Sequence, residues 1–265
     1  MRKIRMIAVA LAMLLALSQT AFTEQAYVNL DERFGNEETY EFDGQTYYLK
    51  NRVKTTLVLC ANLSENPEEG VGKAEMILLV PVDDDSKTIT PIQLDGNMRA
   101  AWLEGEDQGK TLAQLFAEAE SAEAACARMV EAVNALFPTA VVEQYAALDL
   151  RGLPVLDGVK NDETNVTGEA LIERMKAIKA TVEQSGDVNL NAMLSDLSGY
   201  IITDMKSGAM MKVVDKAERY DRVPRTMFPV VQTEGEIEAE EPLNPDLSAF
   251  EEFMLGVYYD DTSMW

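Results

Sequence analysis

The sequence predicts an α/β domain of three layers, in which a mixed central sheet lies between two layers of helices. Two apolar runs of strand length, 54–60 and 75–82, contain few interruptions by charge. Such continuous runs are typical of strands buried on both faces of a sheet. From residue 111 the apolar spacing becomes helical, and a further strand-like run follows at 140–148. Strands followed by alternating helix and strand indicate a mixed sheet covered by helices.

The N-terminus has the order of a secretory signal. Three basic residues, Arg2, Lys3 and Arg5, precede an apolar run from Met6 to Leu17, and small polar residues follow it. This run is shorter than the roughly 20 residues that cross a bilayer as a helix. We therefore expect a signal peptide over 1–21 and an extracytoplasmic, cell-wall-associated protein, which stays membrane-anchored if the signal is not cleaved. A linker over 22–36 and a main domain over 37–231 follow.

Composition excludes several classes of function. The formal net charge is −23, and no basic stripe is present that could neutralise the phosphates of a nucleic acid. The chain contains no histidine. This absence excludes Ser-His-Asp and Cys-His catalysis, and it excludes zinc sites that depend on imidazole.

Cys60 and Cys126 are the only cysteines of the chain. In an oxidising compartment they could form one disulfide. They could equally be two buried small apolar residues, because Cys60 ends a strand-like run and Cys126 lies on the apolar face of a helix. The sequence leaves both alternatives open.

The first elements in the chain are strands. A hairpin is predicted from Thr39–Phe42 and Gln45–Leu49, which flank the turn dipeptide Asp43-Gly44. Three more strands are predicted over Lys54–Cys60, Glu75–Val82 and Lys87–Leu94. Pro91 cannot donate a ladder hydrogen bond, so its strand should lie at an edge of the sheet or beside a bulge.

Helices follow from residue 111. The spacing predicts two helices over 111–136, broken near Ser121, then a strand over Ala140–Leu148. Three further helices are predicted through Leu171–Val182, Leu190–Ile201 and Met210–Ala217. The glutamate-rich segment 232–243 is predicted to be an acidic linker. The last residues, 244–265, are predicted to form a helix packed on the domain.

Several segments, taken in order, resemble the LytR-CpsA-Psr (LCP) domain. They are VKTTLVLCAN, AEMILLVPVDDDSKTITPIQLDGN, FPTAVVEQYAALDLRGLPVLDGV, ERMKAIKATVEQ, GYIITDM and FEEFMLGVYY. The resemblance extends from about Tyr47 to Tyr259. It implies transfer of a phosphorylated glycan from a polyprenyl pyrophosphate to peptidoglycan. Magnesium and arginines would hold the pyrophosphate, and an apolar tunnel would hold the polyprenyl chain.

Most of the functional positions that the resemblance implies have changed. Asn62 stands where the family has a metal-holding Asp, and Ala74 stands where it has a second acid. Gly96 and Asn97 replace an Arg-Asp pair. A segment that carries an Arg-x-Arg pair in the family is absent here. The chain is thus similar to a degenerate member of the family.

Three residues could still act near the expected site. Asp95 is the candidate catalytic acid, and Arg99 and Arg174 are the candidate phosphate-binding cations. No metal ligand set is assigned, and magnesium would be required only if the protein is active.

Three functions remain open from the sequence. The first is a noncatalytic relative, peripheral to the outer face of the membrane, that binds a polyprenyl-linked glycan or another cell-wall component. The second is an active magnesium-dependent transferase using Asp95, Arg99 and Arg174. The third is a scaffold for protein contacts alone. The charged residues of the family are replaced by Asn62, Ala74, Gly96 and Asn97. This loss of charge favours the first function.

Overall fold

The computed structural model describes residues 39–64, 70–100, 103, 105–136, 141–153, 198–206 and 254–261, with shorter pieces between 209 and 246. The predicted signal peptide and N-terminal linker, the helix 171–182 and most of the acidic linker lie outside the described residues. No helix within the described ranges is long and apolar enough to cross a membrane.

The described strands form three sheets. Their bounds are β1 Thr39–Phe42, β2 Gln45–Leu49, β3 Val53–Leu63, β4 Gly72–Asp83, β5 Thr88–Ile89, β6 Ile92–Leu94, β7 Val142–Asp149, β8 Ile201–Thr203, β9 Asp221–Arg222, β10 Thr226–Met227, β11 Val230–Val231, β12 Asn244–Pro245 and β13 Tyr259–Asp261. The main sheet has the order β10-β6-β4-β3-β7-β8, and β5 and β9 extend it beside β4.

This main sheet is mixed, as the sequence predicted. β3 pairs with β4 in antiparallel orientation and with β7 in parallel orientation. β3 and β4 are also the strands with continuous apolar sequence, and they lie at the centre of the sheet. A central position explains why neither strand alternates, because each must pack against apolar groups on both faces.

Two helices cover one face of the sheet. They are α1, Leu112–Ala117, and α2, Ala122–Leu136, and they are separated at Ser121 as predicted. Thr111 is the N-cap residue of α1. Its Oγ1 accepts a hydrogen bond from the Gln114 amide at 3.2 Å, and the Gln114 Oε1 accepts one from the Thr111 amide at 2.9 Å. This capping box satisfies two backbone donors at the start of the helix.

The helix-side core lies between these helices and the sheet. We use this name for the buried cluster that includes Leu57, Leu59, Ala61, Ala74, Ile77, Leu79, Phe116, Cys126 and Met129. The intervening residues of β3 and β4, such as Val58, Cys60, Met76 and Leu78, are also buried but face the other way. Both faces of the sheet are therefore covered, which is the condition for a three-layer α/β arrangement.

The predicted strand 87–94 is interrupted at its proline. β5 ends at Ile89 and β6 begins at Ile92, so Thr90 and Pro91 separate two short strands. β6 does not lie at the edge of the sheet, because β10 pairs with its outer side. The edge alternative was therefore wrong for β6, and the missing amide of Pro91 instead marks a break between two strands.

Ile201 lies in β8 and not in a helix. The prediction of a helix through Leu190–Ile201 is wrong at this end, where a 3-10 turn over Ser198–Tyr200 leads into β8. β8 pairs in antiparallel orientation with the outer side of β7. The β-branched residues Ile201, Ile202 and Thr203 suit this extended position better than a helix.

The C-terminal segment is only partly helical. Residues 254–258 are helical, but β13 follows at once and pairs with β2, and β12 precedes the helix. The prediction of one helix over 244–265 is therefore wrong at both ends. The pairing of β13 with β2 makes the hairpin β1-β2 a three-stranded sheet. The residue before β13, Tyr258, is buried, and its hydroxyl lies 2.9 Å from Thr55 Oγ1 in β3.

Candidate functional site

The positions that the resemblance singled out lie on the side of the main sheet where β3, β6 and β7 end and β4 begins. Ala61, at the end of β3, pairs with Ala74 in β4 and with Asp149 in β7. Leu94, at the end of β6, pairs with Ile77 in β4. Because neighbouring strands are about 4.8 Å apart, residues 95, 74, 61 and 149 span about 14 Å of this edge. We call this part of the molecule the site edge.

A β-bulge shapes the site edge. In the β3–β4 pairing Cys60 opposes Met76 and Ala61 opposes Ala74, so Glu75 is an extra residue with no partner on β3. An extra residue of this kind locally turns the strand and redirects its side chains. The bulge changes which residue of β4 can present a polar group at the site edge.

Glu75, and not Ala74, provides the acid of β4. Ala74 is buried in the helix-side core. The Glu75 side chain is only 7% exposed, and its Oε1 accepts a hydrogen bond from the Asn62 amide nitrogen at 3.0 Å. Its Oε2 lies 3.6 Å from the Lys73 ammonium, whose side chain is 65% exposed. From the sequence, Glu75 was predicted only as the start of a strand, and no role at the site was predicted for it.

A small pocket opens beside Glu75. Its volume is about 150 Å³, and it is lined by Ala74, Glu75, Met76, Ile77, Gln93, Leu94, Asp95 and Gly96. The pocket thus brings together Asp95 and two of the four degenerate positions. Asn62 joins it indirectly through its hydrogen bond to Glu75.

Asp95 organises the turn that follows β6. Its Oδ1 accepts a hydrogen bond from the Asn97 amide at 2.8 Å, and its backbone carbonyl accepts one from the Met98 amide at 3.1 Å. The Gly96 carbonyl accepts a bond from the Ala113 amide at 2.8 Å. The turn is therefore docked on the start of α1. One carboxylate oxygen of Asp95 therefore serves this turn.

Neither a family model nor a curated protein matches this sequence. Solved structures do match it. A transcriptional regulator (EF0465) from Enterococcus faecalis aligns with a TM-score of 0.53 and 11% identity, over 78% of this chain and 86% of that chain. TagV from B. subtilis aligns with a TM-score of 0.52 and 12% identity, over 79% and 97%. TagT bound to LI-WTA aligns with a TM-score of 0.53 and 8% identity, over 86% and 98%.

This chain has the LytR-CpsA-Psr fold. Identities this low establish the shared fold alone. Asp95, Ala74 and Gly96 line one pocket within this fold. The structure adds Glu75 and Gln93, which the resemblance did not single out.

The structure places one of the two candidate cations, and it lies outside the pocket. Arg99 donates its backbone amide to the Leu243 carbonyl at 2.7 Å and forms a bridge with Thr111, so its backbone joins the turn to the end of the acidic linker. Arg99 is not among the residues that line the pocket. Arg174 lies outside the described residues.

A different cation lies at the far end of the site edge. Arg151 donates from Nε to the Asp149 Oδ2 at 2.8 Å, and its second guanidinium nitrogen lies 2.6 Å from the same oxygen. Asp149 is 3% exposed, and its Oδ1 also accepts the Arg151 amide at 3.0 Å. This charge-assisted pair holds the 3-10 turn that follows β7. The local sequence does not indicate this pairing of Asp149 with Arg151.

Cys60 and Cys126 are separate free thiols in the structure. Cys126 lies in the helix-side core, whereas the side chain of Cys60, in β3, faces the other side of the sheet. The sheet itself therefore separates the two sulfurs. Of the two alternatives from the sequence, the structure has the pair of buried small residues.

Both thiols should be unreactive in the native protein. Burial raises the pKa of Cys60 and of Cys126 to about 12, so almost no thiolate forms at pH 8. We expect no reaction with a colorimetric disulfide reagent in buffer, and reaction of both thiols in urea without reductant. Protein that shows no thiols after unfolding would instead contain the disulfide.

No group of three or more acidic or cysteine side chains within the described part of the chain is arranged to hold a metal ion. Asn62 can offer an amide oxygen, and its Oδ1 is buried without a hydrogen-bond partner among the described residues. Glu75 and Asp95 are the acidic residues among those that line the pocket. These oxygens suit hydrogen-bond donors and cations better than they suit a pyrophosphate.

Proposed function

We propose that this protein is an extracytoplasmic cell-envelope protein with the LCP fold that binds a polyprenyl-linked glycan or another cell-wall component without transferring it. The proposal combines the fold, the secretory character of the N-terminus and the chemistry of the pocket. TagT, which has a similar fold, is bound to LI-WTA in its structure, and this supports ligand binding as a use of the fold.

One observation carries the proposal: among the described residues, those that line the pocket of the site edge include two acids and no cation. The acids are Glu75 and Asp95, and neither an Arg nor a Lys is among the described lining residues. The nearest described cation is Lys73, which is mostly exposed and lies beside Glu75. A departing pyrophosphate carries several negative charges, and its stabilisation requires arginine, lysine or a metal ion.

The remaining acids are also poorly placed for magnesium. Asn62 has no charge and directs its amide nitrogen toward Glu75. Asp95 uses one oxygen within its own turn. Magnesium prefers an octahedral set of oxygens that includes carboxylates and several waters. The described residues offer Glu75 and one oxygen of Asp95 for such a set, which favours a noncatalytic role.

The proposal is tested by binding and turnover on one sample. Full-length protein in detergent is titrated with a short-chain polyprenyl pyrophosphate disaccharide, with and without magnesium, and released polyprenyl phosphate is measured by mass spectrometry. We expect saturable binding that does not depend on magnesium, and no release above a protein-free control. A matched variant, Glu131→Gln, changes one charge on the exposed face of α2 and should behave like the wild type.

Two results would contradict the proposal. Magnesium-dependent release of polyprenyl phosphate would establish the transferase alternative. Absence of binding to the lipid-linked glycan and to peptidoglycan fragments would favour the scaffold alternative, in which the fold provides protein contacts alone.

A further inference from the structure

The last described residues of the chain, 254–261, form a short segment that we call the strap. It begins as a helical turn, and it ends as β13, which pairs with β2. Four of its side chains are buried, and they are Met254, Leu255, Tyr258 and Tyr259. The strap therefore combines an apolar underside with a short strand at its end.

The strap and the main sheet share no strand pairing among the described residues. β13 pairs with β2, and the sheet β1-β2-β13 is separate from the main sheet. The Lys50 amide, just after β2, donates a further hydrogen bond to the Tyr258 carbonyl at 2.7 Å. The strap can thus leave the hairpin without breaking a ladder hydrogen bond of the main sheet. Parts of a protein that open locally often coincide with supersecondary units of this kind.

The Lys50 side chain joins the strap to the end of β4. Its ammonium donates to the Val257 carbonyl at 3.3 Å and to the Gly256 carbonyl at 3.4 Å. These carbonyls lie at the end of the helical turn, where a lysine can satisfy acceptors that the helix leaves unpaired. The same ammonium lies 3.6 Å from an oxygen of Asp83 in β4 and 3.6 Å from an oxygen of Asp260 in β13.

Burial gives this cation a large influence on the strap. The Lys50 side chain is 16% exposed, and a buried ammonium is costly unless it is paired and hydrogen-bonded. Asp83 is held in place independently of the strap, because its Oδ1 accepts the Asp85 amide at 2.8 Å and the Ser86 amide at 3.2 Å. The main sheet therefore provides a fixed anion for Lys50, and the strap provides the other acceptors.

We propose that the strap opens and closes as a unit, separately from the main sheet, and that the Lys50 ammonium is the clasp that holds it closed. One side chain contacts the helical turn, β13 and the end of β4. Opening of the strap exposes the edge of β2, whose backbone groups can then pair with another strand. The clasp lies where β4 ends, whereas the site edge lies where β4 begins, so the proposal does not rest on the proposed function.

Hydrogen exchange of the full-length protein tests whether the strap opens separately. The Lys50 amide reports on the strap, because its acceptor is the Tyr258 carbonyl. The Leu59 amide, in β3, reports on the main sheet. Well below the unfolding midpoint, we expect the protection factor at Lys50 to be about tenfold or more below that at Leu59.

Substitutions test whether Lys50 is the clasp. Lys50→Met keeps an apolar stem and removes the charge. It should lower the protection of the amide at position 50 about tenfold or more and leave Leu59 unchanged, because hydrogen bonds from charged groups are the stronger class. Asp260→Asn should lower this protection by a smaller factor, and it serves if Lys50→Met fails to fold.

Lys54→Met is the matched control. Lys54 also lies near the start of β3 and pairs with an acid, Glu143, but its side chain is 59% exposed. Ion pairs at the surface contribute little to stability. This variant should therefore leave the protection at Lys50 unchanged.

Equal protection at Lys50 and Leu59 in the wild type would show that the strap and the main sheet open together, which contradicts the proposal. Unchanged protection at position 50 in both Lys50→Met and Asp260→Asn would show that apolar contacts alone hold the strap, and this also contradicts it. Neither result bears on the proposed function, because Lys50, Asp83 and Asp260 are not among the described residues that line the pocket of the site edge.

Discussion

Gly72→Ala is expected to lower the free energy of unfolding by about 3 kcal/mol or more, a large effect for the addition of one methyl group. Gly72 begins β4 with φ +116°, a conformation that L-residues rarely adopt. A Cβ here would overlap the Asn62 carbonyl oxygen and would lie 2.9 Å from both Leu63 Cα and Ser64 N. All three are backbone atoms, two in β3 and one in the residue that follows it, so relief requires movement of the backbone itself.

Gly105→Ala is the matched control for this prediction. Gly105 also has a positive φ, +73°, but a Cβ there would meet nothing within 4 Å. Its substitution isolates the cost of the backbone conformation, about 1 kcal/mol. The difference between the two variants in urea unfolding measures the backbone overlap at Gly72. Equal losses for the two variants would show that the β3–β4 pairing adapts to the added methyl group.

The Gly72 variant also tests how the site edge is built. Leu63 pairs with Gly72 and Asn62 pairs with Lys73, so separation of the two strands would move Asn62 away from Glu75. Their 3.0 Å hydrogen bond is the link between the end of β3 and the bulge. We therefore expect the Asn62 side-chain amide resonances to change in Gly72→Ala and not in Gly105→Ala.

Local pattern was sufficient for the elements that carry a strong local signal. The hairpin β1-β2 is confirmed because Asp43-Gly44 takes positive φ at both turn residues, +48° and +75°, as a two-residue hairpin turn requires. The long apolar runs of β3 and β4 are confirmed as central strands. The break between α1 and α2 is also confirmed, since Ser121 caps the second helix through its Oγ to the Ala124 amide.

Features that depend on pairing between strands far apart in the sequence could not be predicted from the local sequence pattern. Glu75 reaches the site because of a one-residue shift in the β3–β4 register, and this shift leaves no mark in the sequence of either strand. Tyr259 extends the β1-β2 sheet because that hairpin has a free edge, although the preceding residues follow a helical pattern. Tertiary context of this kind overrides local preference.

The candidate site stays a prediction, although some of its residues lie together. Asp95 and the changed positions Ala74 and Gly96 do meet at one pocket. The sequence assigned no role at the site to Glu75, which lines the same pocket. The bulge at Glu75 is visible only in the pairing of β4 with β3.

Phe116→Ala is expected to cost about 4 kcal/mol of stability, the largest effect we expect from truncating a single side chain in the helix-side core. Phe116 is fully buried, at 0% exposure, and is among the largest fully buried side chains. Its removal leaves a cavity that the packed sheet cannot close. Phe116→Leu retains most of the apolar volume and should cost about 1 kcal/mol. Both values are measured by urea unfolding at pH 7.

The same substitution should loosen the pocket from a distance. α1 has only six residues, too few to be stable without tertiary packing, and Phe116 is one of three buried anchors in it. The helix start holds the Asp95 turn through the bonds from Ala113 to Gly96 and from Leu112 to Met98, at 2.8 and 3.0 Å. We expect faster hydrogen exchange at the Ala113 amide in Phe116→Ala and unchanged exchange at Leu59 in β3, measured well below the unfolding midpoint. If Ala113 and Leu59 instead accelerate together, α1 and the sheet open as one unit, and the pocket turn has no independent stability.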